Sequence, residues 1–520
     1  MIYRSIFFIL FVCMFPMSGI ARHLEVYSEE RLKTLYNSLD PQSVAQHLAF
    51  YDLYPESPEG HQALQTAWGL LAQSAPQSPT MNPIEIPFSL TGIDAIVALI
   101  NKQPNESTPN LSHAELNVIE RLAAGLPNRQ LKGHWATTEE QVISLDTNDV
   151  DLARGLFLSQ FADSENPLLQ IRSYEATIDL MALQILTKVT LEACPEEKIR
   201  AINHFIFEEM RFRFPPHSMY AKDIDLYTFL PSVLDSRRGV CLGVSILYIC
   251  IAQRLGLTLE MITPPGHIYV RFRNGDKIIN IETTARGINL PTEMYLGVET
   301  RSLQQRNVKD VIGLAHFNQA STFWQNENYE KAVATYEIAQ KYLPDDKLLM
   351  ELLAYNYLFT GQKEKGEAYL TKVKDHIPEY AITKQTVAED YLNGKVNADG
   401  IKAIFKHVDE SRESILEKKN AITSVLEKYP QFRSGLSALA ITWLQLHRAG
   451  EALEVLKQYH ELDAEDPSAE YYLSVLYAQR MDYNLSWEHL KQAEKLVKAR
   501  NHYPKTIKEL RKSLSCQYPE

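Results

Sequence analysis

Residues Arg238 to Glu282 read RGVCLGVSILYICIAQRLGLTLEMITPPGHIYVRFRNGDKIINIE, and how this stretch divides decides the fold. From Cys241 to Leu255 it is apolar almost all round: Val244, Ile246, Leu247, Tyr248, Ile249, Cys250, Ile251, Ala252 and Leu255. The pattern predicts a helix enclosed on every side by the rest of a domain. Gly256 stands where a helix-ending glycine belongs, and Gly239 frees the backbone just before the start. Cys241 then falls in the first turn, where unpaired N–H groups and the helix dipole favour negative charge. A thiol so placed is favoured as the thiolate, the nucleophilic form.

Downstream, Leu259–Ile262 is short and apolar and predicts a strand. After Pro264, Pro265 and Gly266 the run from His267 to Arg273 alternates, with Ile268, Val270 and Phe272 on one face and His267, Tyr269, Arg271 and Arg273 on the other. Asn274 and Gly275 predict a two-residue type I′ turn. Such a turn sets Arg273 opposite Asp276 and, counted back, His267 opposite Glu282. Opposed residues have Cβ atoms about 4.5–5.5 Å apart, within reach of an imidazole–carboxylate hydrogen bond. The other face pairs Ile268 with Ile281 and Val270 with Ile279, an apolar side suited to packing on the helix. In chemical terms Cys241 is the candidate nucleophile, His267 the general base and acid, and Glu282 the orienting carboxylate. The register covers only the last two; the sequence does not force Cys241 to meet them, but a helix packed on the sheet allows it.

This order of nucleophile at a helix start, histidine on a strand and acid on the next strand resembles the transglutaminase-like branch of the papain-like cysteine enzymes, in the SirB-type N-terminal form. The resemblance spans roughly Pro195–Thr300 and rests on Cys241, His267 and Glu282. It implies an α+β core with a central helix on an antiparallel sheet, and acyl transfer at amide bonds through a thioester. It requires neither a metal nor an organic cofactor. Many transglutaminases carry aspartate at the third position, so Glu282 is a departure. Some SirB-type relatives lack the cysteine and histidine; this chain keeps both. Pro195–Arg211, amphipathic with acids in its first turn, fits the helix that precedes the active site in such cores.

The 520 residues are too many for one core, so roughly two to four domains are expected. A formal charge of −12 argues against nucleic acid or an anionic membrane surface as the main partner. No phosphate-binding glycine loop and no histidine–cysteine metal spacing is present. The five cysteines, at 13, 194, 241, 250 and 516, are too scattered for a disulfide scaffold, and Cys250 reads as a small buried hydrophobe.

Residues 1–21 carry a lone Arg4, an apolar run and a small-x-small site at Gly19–Ala21, the pattern of an export signal. The expected location is therefore periplasmic or secreted, with no stable membrane span after cleavage; an uncleaved N-terminal anchor is the alternative. Residues 22–190 read as a helical platform, with helices expected within His23–Leu53, Ser112–Ala124, Leu152–Phe161 and Ile171–Val189. Ser112 and Glu115 form a capping-box signature. The long connection Phe212–Ser236 offers Tyr220, Asp223, Asp225 and Tyr227 as candidates to line a substrate groove, and His217 as a rival base. Thr283–Leu290 is expected to cover the edge of the site, and residues 291–312 to link it to the C-terminal region.

From about Val311 a period of 34 appears: Ala332, Tyr336, Ala339 and Pro344 recur as Gly366, Leu370, Val373 and Pro378. The same order returns at Ala452, Leu456 and Tyr459, then Ser486, Leu490 and Ala493. Small residues at helix contacts in a 34-residue unit are the tetratricopeptide (TPR) signature. The two blocks are 86 residues apart, not a multiple of 34, so the unit across Ala381–Pro430 is irregular. Stacked helical hairpins make a solenoid suited to a protein or peptide partner. The expected division is 1–21 export signal, 22–190 helical region, 191–300 core and 301–520 repeats. Two functions follow: an exported cysteine acyl-transfer enzyme with a docking array, or a catalytically silent core serving as a binding scaffold. A redox role for Cys241 is a third reading.

Overall fold

The computed structural model describes residues 29–76, 90–216 and 224–519; the expected export signal, His217, Tyr220 and Asp223 lie outside them. The chain folds as α+β: among the described residues there are many helices and one small antiparallel sheet. Among the described residues, no helix is long and apolar enough to cross a membrane. At the centre is the helix Cys241–Arg254, with twelve of its fourteen residues buried. Each large apolar side chain so enclosed contributes about 1.5–3 kcal/mol. Gly256, with φ +65°, ends the helix as expected.

The helix Pro167–Leu186, buried without interruption from Ser173 to Leu186, runs against it. Polar groups inside so dry an interface have to be matched. Arg254, fully buried at the end of the Cys241 helix, donates through Nε to Asp179 Oδ1 at 2.6 Å, and Arg129 bonds the other oxygen of Asp179. Arg154 holds Glu175 with two bonds of 2.7 and 2.6 Å. Asp151 meets His134 Nδ1 at 3.1 Å and Asn128 Nδ2 at 3.0 Å. Three arginines thus hold two carboxylates, Asp179 and Glu175, and the Arg254–Asp179 pair fastens the helix Pro167–Leu186 to the central helix.

Four strands lie beside it: β1 (Glu260–Thr263), β2 (Tyr269–Asn274), β3 (Lys277–Ile281) and β4 (Gln304–Arg306), in the order β3-β2-β1-β4. The expected hairpin is present, but its register is two residues away from the expected one. Asn274 pairs with Lys277 and Val270 with Ile281, so the loop is Gly275 and Asp276 rather than Asn274 and Gly275. Gly275 has φ +57° and Asp276 stays outside the left-handed region, the arrangement in which glycine leads a two-residue loop. A slip of two preserves the faces. Val270 and Phe272 still meet the apolar partners Ile281 and Ile279. It does remove the direct opposition of His267 and Glu282, and His267 precedes β2 rather than lying in it. β4 has only three residues, two glutamines and an arginine, with no apolar alternation to announce it; it pairs with β1.

The N-terminal region is helical as expected, although His23–Leu53 contains two described helices, Glu29–Asn37 and Val44–Leu53, separated at Pro41. Ser112 and Glu115 make the capping box. Pro195–Asn203 continues as a wider, π-type turn at His204–Glu209. The C-terminal region is a series of helical hairpins. Their second helices begin at Tyr329 and Lys363, 34 residues apart, and at Ala449 and Tyr483, again 34 apart. The fourth residue of each is small and buried: Ala332, Gly366, Ala452 and Ser486. Between the two blocks stand the short helices Val387–Leu392 and Ala398–Ile404 and the longer Arg412–Lys428, the irregular unit. One apolar core runs from Val44 through the central helix to Tyr357 in the repeats.

Arg254→Met keeps much of the volume but leaves Asp179 with one cation. Breaking a buried pair from one side costs about 3–5 kcal/mol, and guanidinium unfolding of the variant is expected to lose that much. A loss under about 1 kcal/mol would show that the buried ion pairs do not hold the helices together.

Candidate functional site

Cys241 is placed by the backbone on both sides of it. Val240 is the helix cap, with extended φ and ψ of −75° and 175°, and Val244 N–H is the first to find an intrahelical acceptor, Val240 O at 3.0 Å. The N–H groups of Cys241, Leu242 and Gly243 therefore have no acceptor within the helix. Before the cap, Arg237 adopts φ +53° and the chain is laced to Arg213 and Tyr227: Gly239 N–H donates to Arg213 O and Val240 N–H to Tyr227 O. Gly243 has to be glycine here, because a Cβ would lie 2.1 Å from Tyr227 O. This close approach brings the Ile224–Thr228 turn against the first turn of the helix and leaves Cys241 half-buried.

His267 Nε2 lies 2.7 Å from Glu282 Oε2. The bond is diagonal across the hairpin rather than between opposed residues. The ring is 27% exposed and the carboxylate 4%, so one partner faces solvent while the other is held from behind. Glu282 is well supplied with donors. Thr284 gives Oε1 its N–H at 3.1 Å and its hydroxyl at 2.6 Å, and Tyr295 gives Oε2 its hydroxyl at 2.5 Å. Tyr295 also stacks on His267, with centroids 5.7 Å apart, and on Tyr269 at 4.6 Å. Ser245 and Thr283, 3.0 Å apart and buried, fasten the second turn of the Cys241 helix to the end of the hairpin.

The structure thus brings Cys241, His267 and Glu282 together. Burial lowers the His267 pKa, but hydrogen bonds and charge from Cys241 and Glu282 raise it more, to about 9. Burial raises that of Glu282, but the bonds from His267, Thr284 and Tyr295 lower it more, to about 2. With Nε2 given to Glu282, Nδ1 is the ring nitrogen left for the thiol. An imidazolium between a thiol and a carboxylate is suited to stabilise a thiolate and later deliver a proton.

Cys250, fully buried in the same helix, has its thiol pKa pushed far up by burial and is remote from such chemistry. Tyr227 contributes its carbonyl to the cap of the Cys241 helix. Among the described residues, one other cluster has the composition of a metal site: His134, Asp151 and Glu175, buried, with ligand atoms within 4.8 Å of one another. Their acceptors are already used. Asp151 Oδ1 caps Leu152–Gln160 through Ala153 and Arg154, Oδ2 takes Asn128 and His134, and Glu175 is filled by Arg154. A cation there would have to displace a guanidinium, so this donor set does not fit a metal.

Sequence reasoning missed Tyr295 and Thr284. Thr284 follows Glu282 by two residues, the spacing at which a carboxylate accepts from its own downstream backbone, so a local signal existed. Tyr295 had none; it falls in the stretch expected to be a linker and reaches the site through a short 3-10 turn, Thr292–Tyr295.

Residues 172–310 match the model of the transglutaminase-like superfamily, so the chain carries a transglutaminase-like domain. Mouse F-box only protein 21 is 23% identical over 235 residues, which cover 41% of this chain and 35% of that protein. A UPF0162 protein of Xylella fastidiosa (strain Temecula1) is 23% identical over 176 residues, covering 34% of this chain and 57% of that protein. The chain therefore spans about a third and just over half of the length of these relatives. Among solved structures, MamA aligns with a TM-score of 0.19 and 16% identity over 36% of this chain and 97% of its own. The TPR2AB domain of yeast Sti1, in a structure titled as a complex with pHSP90, aligns at 0.21 and 18% over 39% and 85%.

The shifts fix a pH dependence. His267 is raised from 6.5 to about 9, so its contribution to stability is complete below about 6.5 and is lost as pH rises through about 9. Glu282 is lowered from 4.5 to about 2, so its contribution is present above about 4.5 and is lost as pH falls through about 2. The difference in unfolding midpoint between wild type and Glu282→Gln is expected to be largest at about pH 5–6 and to shrink towards about pH 10. A difference independent of pH would contradict the charged pair.

Proposed function

We propose that the protein is a transglutaminase-like cysteine acyl-transfer enzyme acting on amide bonds, with the repeats docking a protein or peptide. The observation that carries this reading is His267 held between Cys241 and Glu282 with its pKa raised to about 9. The Cys241 thiolate attacks the amide carbonyl carbon, and the oxyanion forms beside the helix-start N–H groups, which suit it by position and dipole. His267 protonates the leaving amine as the C–N bond breaks, giving a thioester on Cys241. Water or a second amine, deprotonated by His267, then attacks the thioester and releases the thiolate. Glu282 keeps the imidazole oriented and stabilises its charged form. Export belongs to this reading and is supported by the pattern of residues 1–21.

A binding scaffold with a silent core is the second reading, favoured by the extent of the helical repeats. The two diverge at the thiol. Iodoacetamide alkylation of Cys241, followed by mass spectrometry of its peptide at about pH 6.5, is expected to be about tenfold or more slower in His267→Ala than in wild type. The wild-type rate profile should also bend near about 9, where His267 loses its proton. Equal rates in the two proteins would favour the scaffold and end the enzymatic reading.

A further inference from the structure

The segment after Tyr295 is tied to two distant places in the repeat array. The stretch leading into Tyr295 is anchored on the sheet. Asn280 Nδ2 donates to Leu290 O at 2.6 Å, and Arg271 Nη2 donates to Thr292 Oγ1 at 3.2 Å. Tyr295 follows, over the His267–Glu282 pair. Two residues on, Gly297 O meets His502 Nε2 at 2.8 Å, a contact between residues 205 positions apart in sequence. Val298 packs on the apolar cluster of the last repeat, which includes Trp487, Leu490 and Ile507. Glu299 O accepts from Ile382 N–H at 3.0 Å, Thr300 forms a β-bridge with Ala381, and Arg301 N–H donates to Tyr380 O at 2.8 Å. The strap then enters β4, where Arg306 bonds Asp346 Oδ2 at 2.5 Å.

Main-chain bonds to an added bridge, with one apolar side chain in a pocket, are how an extended peptide binds a folded surface. Here the array holds a piece of its own chain that way, and that piece begins two residues from the ring stacked on His267. We propose that Tyr295 is a positioning residue for the His267–Glu282 pair, and that the repeat array sets it through the strap 297–302. The inference rests on the catalytic reading above. It gives the array a task at the site itself: the last repeat, far along the chain, fixes one of the four donors to Glu282 and the ring that covers His267. Loosening the strap from the array loosens Tyr295 and frees the imidazole to turn away from Cys241.

The test uses the full chain and the rate of Cys241 alkylation by iodoacetamide at about pH 6.5, with circular dichroism to confirm folding. Tyr295→Ala is expected to slow alkylation by about threefold or more, and Tyr295→Phe by less, because the stacked ring remains. Val298→Asp and His502→Ala act on the strap alone and are each expected to slow it by about threefold. In a Tyr295→Ala background both should add nothing further, since their effect passes through that ring. Strap variants with wild-type rates, or with undiminished effects in the Tyr295→Ala background, would overturn the proposal. If Val298→Asp does not fold, His502→Ala carries the test. His267→Ala separates the two readings. If it slows alkylation and the strap variants do not, only this inference fails; if it leaves the rate unchanged, the catalytic reading fails and this one with it.

Discussion

A helix that is apolar on all sides has to be enclosed, and the enclosure of Cys241–Arg254 organises this protein. Its far end carries a buried arginine, which demands the carboxylate of Asp179 and so fixes the helix Pro167–Leu186 alongside. Its near end has to emerge enough for the Cys241 thiol to be half-exposed. The turn Ile224–Thr228 and the hairpin complete the casing. One apolar core runs through the N-terminal helices, the central helix, the hairpin and the first repeats, so the position of the cysteine is set by packing and not by one local motif.

The polar site grows from a second constraint, the burial of Glu282. A carboxylate with 4% exposure stays charged only when its oxygens are filled by donors. Four donors fill them, one from His267, two from Thr284 and one from Tyr295. Charge on Glu282 then holds charge on His267, and the imidazolium faces the thiol. The order of cause runs from burial, to donors, to the shifted histidine. It also accounts for glutamate at the position where many transglutaminases carry aspartate: the diagonal offset across the hairpin asks for a longer side chain to reach the ring.

The elements most legible in the sequence were those written in apolar periodicity. The central helix is one, because nothing else accommodates Val244 to Leu255. The repeats are another, because Ala332, Gly366, Ala452 and Ser486 sit where only small side chains fit between helices. The hairpin was legible in faces but not in register: Asn274–Gly275 and Gly275–Asp276 are both good two-residue loops, and a shift of two leaves every apolar residue on its own side. Parity therefore protected the pairing of His267 with Glu282 from an error in its geometry. Tyr295 and β4 were not legible at all. Each is fixed by partners outside its own segment, Glu282 for the one and β1 for the other, and neither has a local pattern of its own.

The central claim is that His267 is held charged between Cys241 and Glu282. Titration of the His267 ring by NMR, in wild type and in Cys241→Ala, tests it most directly. The account predicts a midpoint at about 9 in wild type, falling when the thiol is removed. A midpoint near the ordinary 6.5 in both proteins would contradict it.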